Sequence, residues 1–260
     1  MAVALQEPDR TPLREEALAL VICQVDFSEI DSRLASKDVF RYRDTLNRGP
    51  GGYGELTQVR KNQVTLQLGV FGATSTSDAT ASKGWRLATR DQSWAVALFP
   101  DSVTLESRKY GGWAESFRPR LYDAFAGAID AFSPEVETRI GLRYVNQFGH
   151  DDATSPLYWA AKIEAPFLGP LQDRLGPAVV NSTMRVTFQF EEIQAVVALA
   201  FQPDTTRPGH IALVFDIDVS RQGAREFAFN DLMNAADVLN TRALQVFQSI
   251  VNRSFLQELR

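Results

Sequence analysis

VVNSTMRVTFQFEEIQAVVALAF, residues 179–201, is the stretch whose reading decides the fold. Two runs rich in Val, Thr, Phe and Ala, 179–190 and 193–201, flank the acidic pair Glu191-Glu192, which suits a solvated hairpin tip. A loop punctuated by proline and glycine, PDTTRPG, leads to a third apolar run at 210–219, HIALVFDIDV. Strands joined by short turns pair antiparallel. The period then changes. Residues 230–251 place Leu232, Ala235, Ala236, Leu239, Ala243, Val246, Phe247 and Ile250 on one apolar helical stripe, with Asn230 or Asp231 near the cap. Strands followed by a helix mean an α+β protein.

Working outward, ETRIGLRYVNQF at 137–148 predicts a strand, and the Pro- and Gly-rich stretch after it a short helix at 168–175. In the first half, ALALVICQVDF at 17–27 is an almost unbroken apolar run, read as a strand buried on both faces at its start. Residues 31–46 fit an amphipathic helix, RGPGGYGE at 48–55 a loop, and 56–71 one or two strands with a break near Lys61-Asn62. The polar stretch 72–83 reads as a loop. GWRLATR, WAVALF and VTLESRKY then predict three strands, turning at Asp91-Gln92 and Pro100-Asp101. Residues 113–132 form a helix with Phe117, Leu121, Phe125, Ala128 and Phe132 on its stripe, stopped by Ser133-Pro134.

Residues 1–135 and 136–260 therefore share an order of elements: strand, short helix, antiparallel strands, long helix. That order predicts a curved antiparallel sheet with both long helices on one face, in one compact unit with an internal duplication of β-α-β-β-β-α halves. The second sheet face would be free for a ligand or partner.

Composition narrows the function. With 45% hydrophobic and 23% charged residues, the 260-residue chain is ordinary globular protein and can bury a large core. Its single cysteine, Cys23, cannot form an internal disulfide, which fits a reducing compartment. No apolar run is long enough to span a bilayer and the N-terminus lacks a signal-peptide pattern, so the expectation is a cytoplasmic protein without membrane attachment. A net charge of −5 disfavours sequence-blind nucleic-acid binding.

Four segments appear in order: PLREEALALVICQVDF at 12–27, RIGLRYVNQF at 139–148, LVFDIDV at 213–219 and FQSIVNRSFLQELR at 247–260. Together, and most specifically through Arg139-Ile140-Gly141-Leu142-Arg143-Tyr144-Val145-Asn146, the chain resembles an uncharacterised, sporadically distributed bacterial family of about this length. The resemblance implies a bacterial, cytosolic setting and no mechanism.

The strongest candidate site follows from strand parity. Arg139 and Arg143 share one side of their strand, and Asp216 and Asp218 share one side of theirs. If the strands are neighbours, the four make either a binding patch for an anion or a partner's charged strip, or a solvated ladder. Each pair of such a ladder contributes roughly 0.2–1 kcal/mol, and the ladder is the plainer reading.

Other motifs carry less. Arg48-Gly49-Pro50-Gly51-Gly52-Tyr53-Gly54 is followed by Glu55, where a phosphate loop needs Lys-Ser or Lys-Thr opening a helix. His150-Asp151-Asp152 has ligand-type residues without the spacing of a metal site, and His210 stands alone. Cys23 reads as an inert core thiol. No G-x-S-x-G elbow is present. Trp85, Arg86, Arg90, Trp94, Arg108, Lys109, Tyr110 and Trp113 concentrate rings and charge, yet strand parity sends Trp85 inward and Arg86 outward, as core tryptophans beside solvated arginines require.

The expectation is a binding protein without catalytic residues, metal or cofactor, engaging a protein partner or itself as a homo-oligomer through the sheet face. An enzyme acting on a nucleotide or other phosphorylated small molecule through Arg139, Arg143, Asp216 and Asp218 is the first alternative, and a nucleic-acid-binding protein the second.

Overall fold

Val21, Cys23 and Val25 stand opposite Tyr144, Leu142 and Ile140 in antiparallel register, and their alternate neighbours Ile22, Gln24 and Asp26 turn to the other side. This pairing sits at the centre of the sheet. The structure is a computed structural model that describes residues 5–13, 18–28, 36–49, 52–60 and 83–260. Its strands are β1 (Leu18–Phe27), β2 (Tyr53–Arg60), β3 (Lys83–Thr89), β4 (Trp94–Phe99), β5 (Ser102–Ser107), β6 (Val136–Phe148), β7 (Ser182–Phe190), β8 (Ile193–Pro203) and β9 (Ile211–Glu226). They form one nine-stranded antiparallel sheet in the order β2-β3-β4-β5-β1-β6-β9-β8-β7. Beyond β1 the strands run back through the sequence as β5, β4, β3, β2. Beyond β6 they run back as β9, β8, β7.

The helices are α1 (Ser36–Leu46), α2 (Arg118–Phe132), α3 (Pro156–Ala160), α4 (Phe229–Ile250) and α5 (Arg253–Glu258), and a π-helical turn, Trp113–Phe117, leads into α2. Both long helices lie on one face. Trp94, Ser107, Val21, Tyr144 and Ile217 are successive register partners across five strands, so they share that face. Phe117 packs on Trp94 at 5.8 Å and Phe247 of α4 on Phe215 at 5.4 Å. Phe255 of α5 and Trp159 of α3 meet Phe148 on the same side, and α1 lies against α2 through a Tyr42 Oη bond to the Ala124 carbonyl (2.8 Å). The predicted stripes are buried, Phe117, Leu121, Phe125 and Ala128 on one side and Leu232, Leu239, Ala243 and Phe247 on the other, with Phe132 at the end of the first only half-buried. Asp237 joins the helices, accepting from Arg118 (2.8 Å) and from Trp113 Nε1 (2.8 Å).

Several expectations are corrected. β1 is not buried on both faces at its start: Leu18 and Leu20 are half-buried and Ala19 exposed, and from Val21 on its residues alternate between buried and half-buried, because the described helices gather on one side only. Residues 168–175 hold a 3-10 turn, Gly169–Gln172, and no α-helix. Pro166, Pro170 and Pro177 each start a 3-10 turn within 165–178, and a proline that can begin a turn cannot carry it on. The short helix of this region is α3, further upstream. Tyr53, Gly54 and Glu55, read as loop, open β2, with the Tyr53 N–H donating to the Asn47 side chain (2.8 Å). β9 runs well past Val219, to Glu226, although Gln222–Glu226 carries no apolar pattern, because β6 pairs with it as far as Val136 opposite Glu226. Neither Asn230 nor Asp231 caps α4. Its first residue follows Ala228, and Asp231 instead accepts from Arg221 (2.9 Å), whose guanidinium also bonds the buried Glu137 (3.0 Å). The expected helix start at 31–35, the strand portion 61–71 and the loop 72–82 lie outside the described residues.

Phe125 has no exposed surface. The Phe125→Ala variant is expected to lose about 3–5 kcal/mol in chemical denaturation, the range for emptying a large aromatic site in a core.

Candidate functional site

On the face away from the helices, β6 presents Arg139, Gly141, Arg143 and Val145, and β9 presents Asp216 and Asp218. Arg143 stands opposite Asp218 and Val145 opposite Asp216, yet the ion pairs run diagonally. Arg143 leans to Asp216, donating from Nε to Oδ1 (2.7 Å) and from Nη2 to Oδ2 (2.6 Å), a two-pronged pair. Arg139 leans the same way and donates to Asp218 (3.2 Å), with Asp26 of β1 at 3.9 Å on its other side.

Gly141 makes that reach possible. A Cβ on it would stand 2.5 Å from Arg139 Nη1, so the guanidinium lies across a position where any other residue would put a side chain. Asp26 in turn accepts from Gln24 (2.6 Å), and Gln24 accepts from Thr104 of β5 (3.3 Å). Further out on this face, Arg86 and Glu106 face each other at 3.9 Å. A band of polar contacts therefore crosses the middle of the sheet.

The two arginine–aspartate pairs differ in kind. Side-chain exposure is 23% and 10% for Arg143 and Asp216, but 27% and 39% for Arg139 and Asp218. The expectation of a solvated ladder holds for the second pair and fails for the first, which is largely out of water. The bonds to Asp216 hold the Arg143 guanidinium more basic than usual. Burial raises the carboxyl of Asp218 above its ordinary value, while Arg139 and Arg143 pull it back. Asp26 and Gln24 were missed because the run VICQVDF was read as apolar throughout. Its alternation already set Gln24 and Asp26 on the side opposite Cys23.

The charges on this face balance. Arg185 of β7 also projects here, by register through Ala198 to Asp216, so with Arg86 four arginines stand against Asp26, Glu106, Asp216 and Asp218. The described residues leave no net positive charge here to draw a phosphate. The phosphorylated-substrate reading therefore finds no support at these four residues.

The remaining motifs are placed as follows. Pro50 and Gly51 of the glycine-rich stretch lie outside the described residues, and β2, not a helix, follows Gly52. His150 accepts the Asp152 N–H (3.1 Å) and stacks on Tyr158, while Asp151 pairs with Arg207 (3.4 Å), so the trio diverges. Among the described residues no group of three ligand-type side chains could hold a metal ion. Cys23 is buried, and burial pushes its thiol well above the ordinary range. Trp94 and Trp113 pack on Phe117 in the core, so neither offers a free ring to a base. Near Phe148 a cleft of about 820 Å³ holds Lys162, paired with Glu258, and Arg207, paired with the buried Asp204. Its cations are already answered.

The difference in burial gives a direct test. Arg143→Ala leaves a nearly buried carboxylate alone and is expected to cost about 3 kcal/mol, against about 1 kcal/mol or less for Arg139→Ala, both read from denaturant midpoints. Because the folded state makes the Asp218 carboxyl a weaker acid than in the unfolded chain, its ionised form opposes folding and the protonated form favours it. Asp218→Asn is thus expected to hold or raise the melting temperature at neutral pH, and this advantage should vanish as the pH falls through the carboxylate range.

Comparison with protein-family models and with curated proteins finds no match to this chain, so its function is read from the geometry alone.

Proposed function

We propose that this chain is a binding protein that engages a protein partner, or a second copy of itself, through the sheet face opposite its helices. One observation carries the reading: at the centre of that face Arg139 and Arg143 are matched by Asp26, Asp218 and Asp216, and half-exposed Ile22, Val145 and Val196 stand beside the matched pairs. Internally satisfied charge beside apolar side chains is the surface of an interface core, where charged groups are few or paired and the apolar area does the holding. A substrate site would need an unanswered charge or a convergent acid and base, and the described residues at the centre of this face offer neither.

Self-association has a second support. β7 ends the sheet, and its nine residues alternate between half-buried and exposed without a proline or a bulge. An edge of that kind is a template for another strand. The bacterial family resemblance, the cytoplasmic setting and the duplicated halves belong to the same proposal, supported by the four sequence segments, the lone cysteine and the parallel order of strands on either side of β1 and β6.

Val145→Arg and Val196→Arg, together, place two unmatched charges on the face while leaving the helix side alone. Expected is loss of the complex recovered with the tagged chain from its host, or of a dimer seen by sedimentation, with the melting temperature unchanged. A parent protein that sediments as a monomer and captures nothing that these substitutions release would overturn the reading. A dimer that survives them and yields to Thr187→Pro moves the contact to the β7 edge and overturns the sheet-face assignment.

A further inference from the structure

A second cleft, of about 520 Å³, opens away from the arginine–aspartate ladder and gathers three cations: Arg90, Lys109 and Arg120. They arrive from separate parts of the chain. Arg90 follows β3 in the turn to β4, Lys109 follows β5, and Arg120 sits in the first turn of α2. Like charges brought to one concavity repel, and each could have been turned to solvent instead. In a chain of net charge −5 their convergence runs against the background.

The carboxylate that lines the cleft does not account for it. Asp91 is the acidic residue lining the cleft, and its oxygens are taken by its own loop. Thr89 Oγ1 donates to it (2.6 Å), as do the Ser93 N–H (3.1 Å) and Ser93 Oγ (2.8 Å). These bonds hold its carboxyl down at about 2, so it stays ionised and subtracts one charge from three. Among the described residues neither Arg90 nor Lys109 is in an ion pair. Arg120 lies over the Trp94 ring at 4.5 Å, which fixes its position, and it also interacts with Asp123 outside the lining. Gly52, the one described glycine of the sequence's glycine-rich stretch to reach this cleft, brings bare backbone to the rim at a φ of +77°.

We propose that this cleft binds the phosphate group of a small phosphorylated ligand, with Arg90, Lys109 and Arg120 as its charge partners. Guanidinium and ammonium groups around a shared space are the usual complement of a multiply charged oxyanion, and the volume leaves room for the group that carries it. A nucleic-acid strand could supply the same phosphate chemistry. It is disfavoured because Trp94 is buried beneath Arg120 and cannot stack a base, and because the acidic chain repels a long polyanion. The site is separate from the sheet face, and either can fail without the other.

The test titrates the full chain with pyrophosphate, with ATP and with a single-stranded oligonucleotide, by calorimetry at low and at physiological salt. Saturable binding of pyrophosphate or ATP is expected, weakened at least tenfold (about 1.4 kcal/mol) by Arg90→Ala and by Lys109→Ala with unchanged melting curves. Both side chains are exposed, so these variants fold, and Arg120→Lys tests the third position without emptying the Trp94 contact. No saturable binding of either small probe, or binding indifferent to Arg90 and Lys109, overturns the proposal. So does binding by the oligonucleotide alone.

Discussion

The antiparallel pairing of β6 with its two neighbours is the constraint on which the rest depends. Side chains alternate along a strand, so a slip of one residue against β1 or β9 would exchange faces throughout. Ile140 and Leu142 would leave the core for the open side, and Arg139 and Arg143 would be pushed beneath the helices. Register is therefore set by burial on one side and by charge on the other. On the helix side Arg221 meets Glu137 and Asp231, which also ties the start of α4 to the sheet. On the open side Arg143 meets Asp216 and Arg139 meets Asp218. The seam between β6 and β9 is thus fastened on both faces.

Such pairs specify more than they stabilise. Withdrawing a carboxylate and a guanidinium from water costs about as much as their attraction returns, and a well-packed apolar pair would hold the seam as firmly. What the charged pair adds is a penalty for the wrong arrangement, since a misplaced Asp216 would be buried without a partner. Gly141 belongs to the same device. Its missing side chain lets Arg139 lie along the sheet and reach both Asp26 and Asp218, joining β1 to the β6–β9 pair.

Much of this was legible in the sequence where period alone decides. The hairpin at Glu191-Glu192, the stripes of α2 and α4 and the shared face of Arg139 and Arg143 all follow from spacings of two or three to four residues. What failed has physical reasons. Gln222–Glu226 is strand because a neighbour pairs its backbone, and no side-chain pattern announces that. Asp231 looked like a helix cap by position, but a buried arginine from β9 claims it. The candidate site was half legible. Parity gave the four ladder residues, while the diagonal lean, the part played by Asp26 and the near-burial of Asp216 depend on three-dimensional neighbours. The cationic cleft was least legible: Arg90 and Lys109 stood in a concentration of rings and charge read as core tryptophans beside solvated arginines, and nothing there pointed to Arg120, which meets them only in the fold.

The central place of β1 also bears on how the chain is made. β3 with β4, β4 with β5, β7 with β8 and β8 with β9 are hairpin neighbours that can zip as soon as they leave the ribosome. β1 is translated before all of them, and its partners Leu105 and Leu142 come much later. Until β5 and then β6 have been synthesised, Val21, Cys23, Val25 and Phe27 have no finished sheet to join. The centre of the sheet thus closes only after the β3–β5 strands have formed, and the nascent chain must shelter these apolar side chains until β6 has been made.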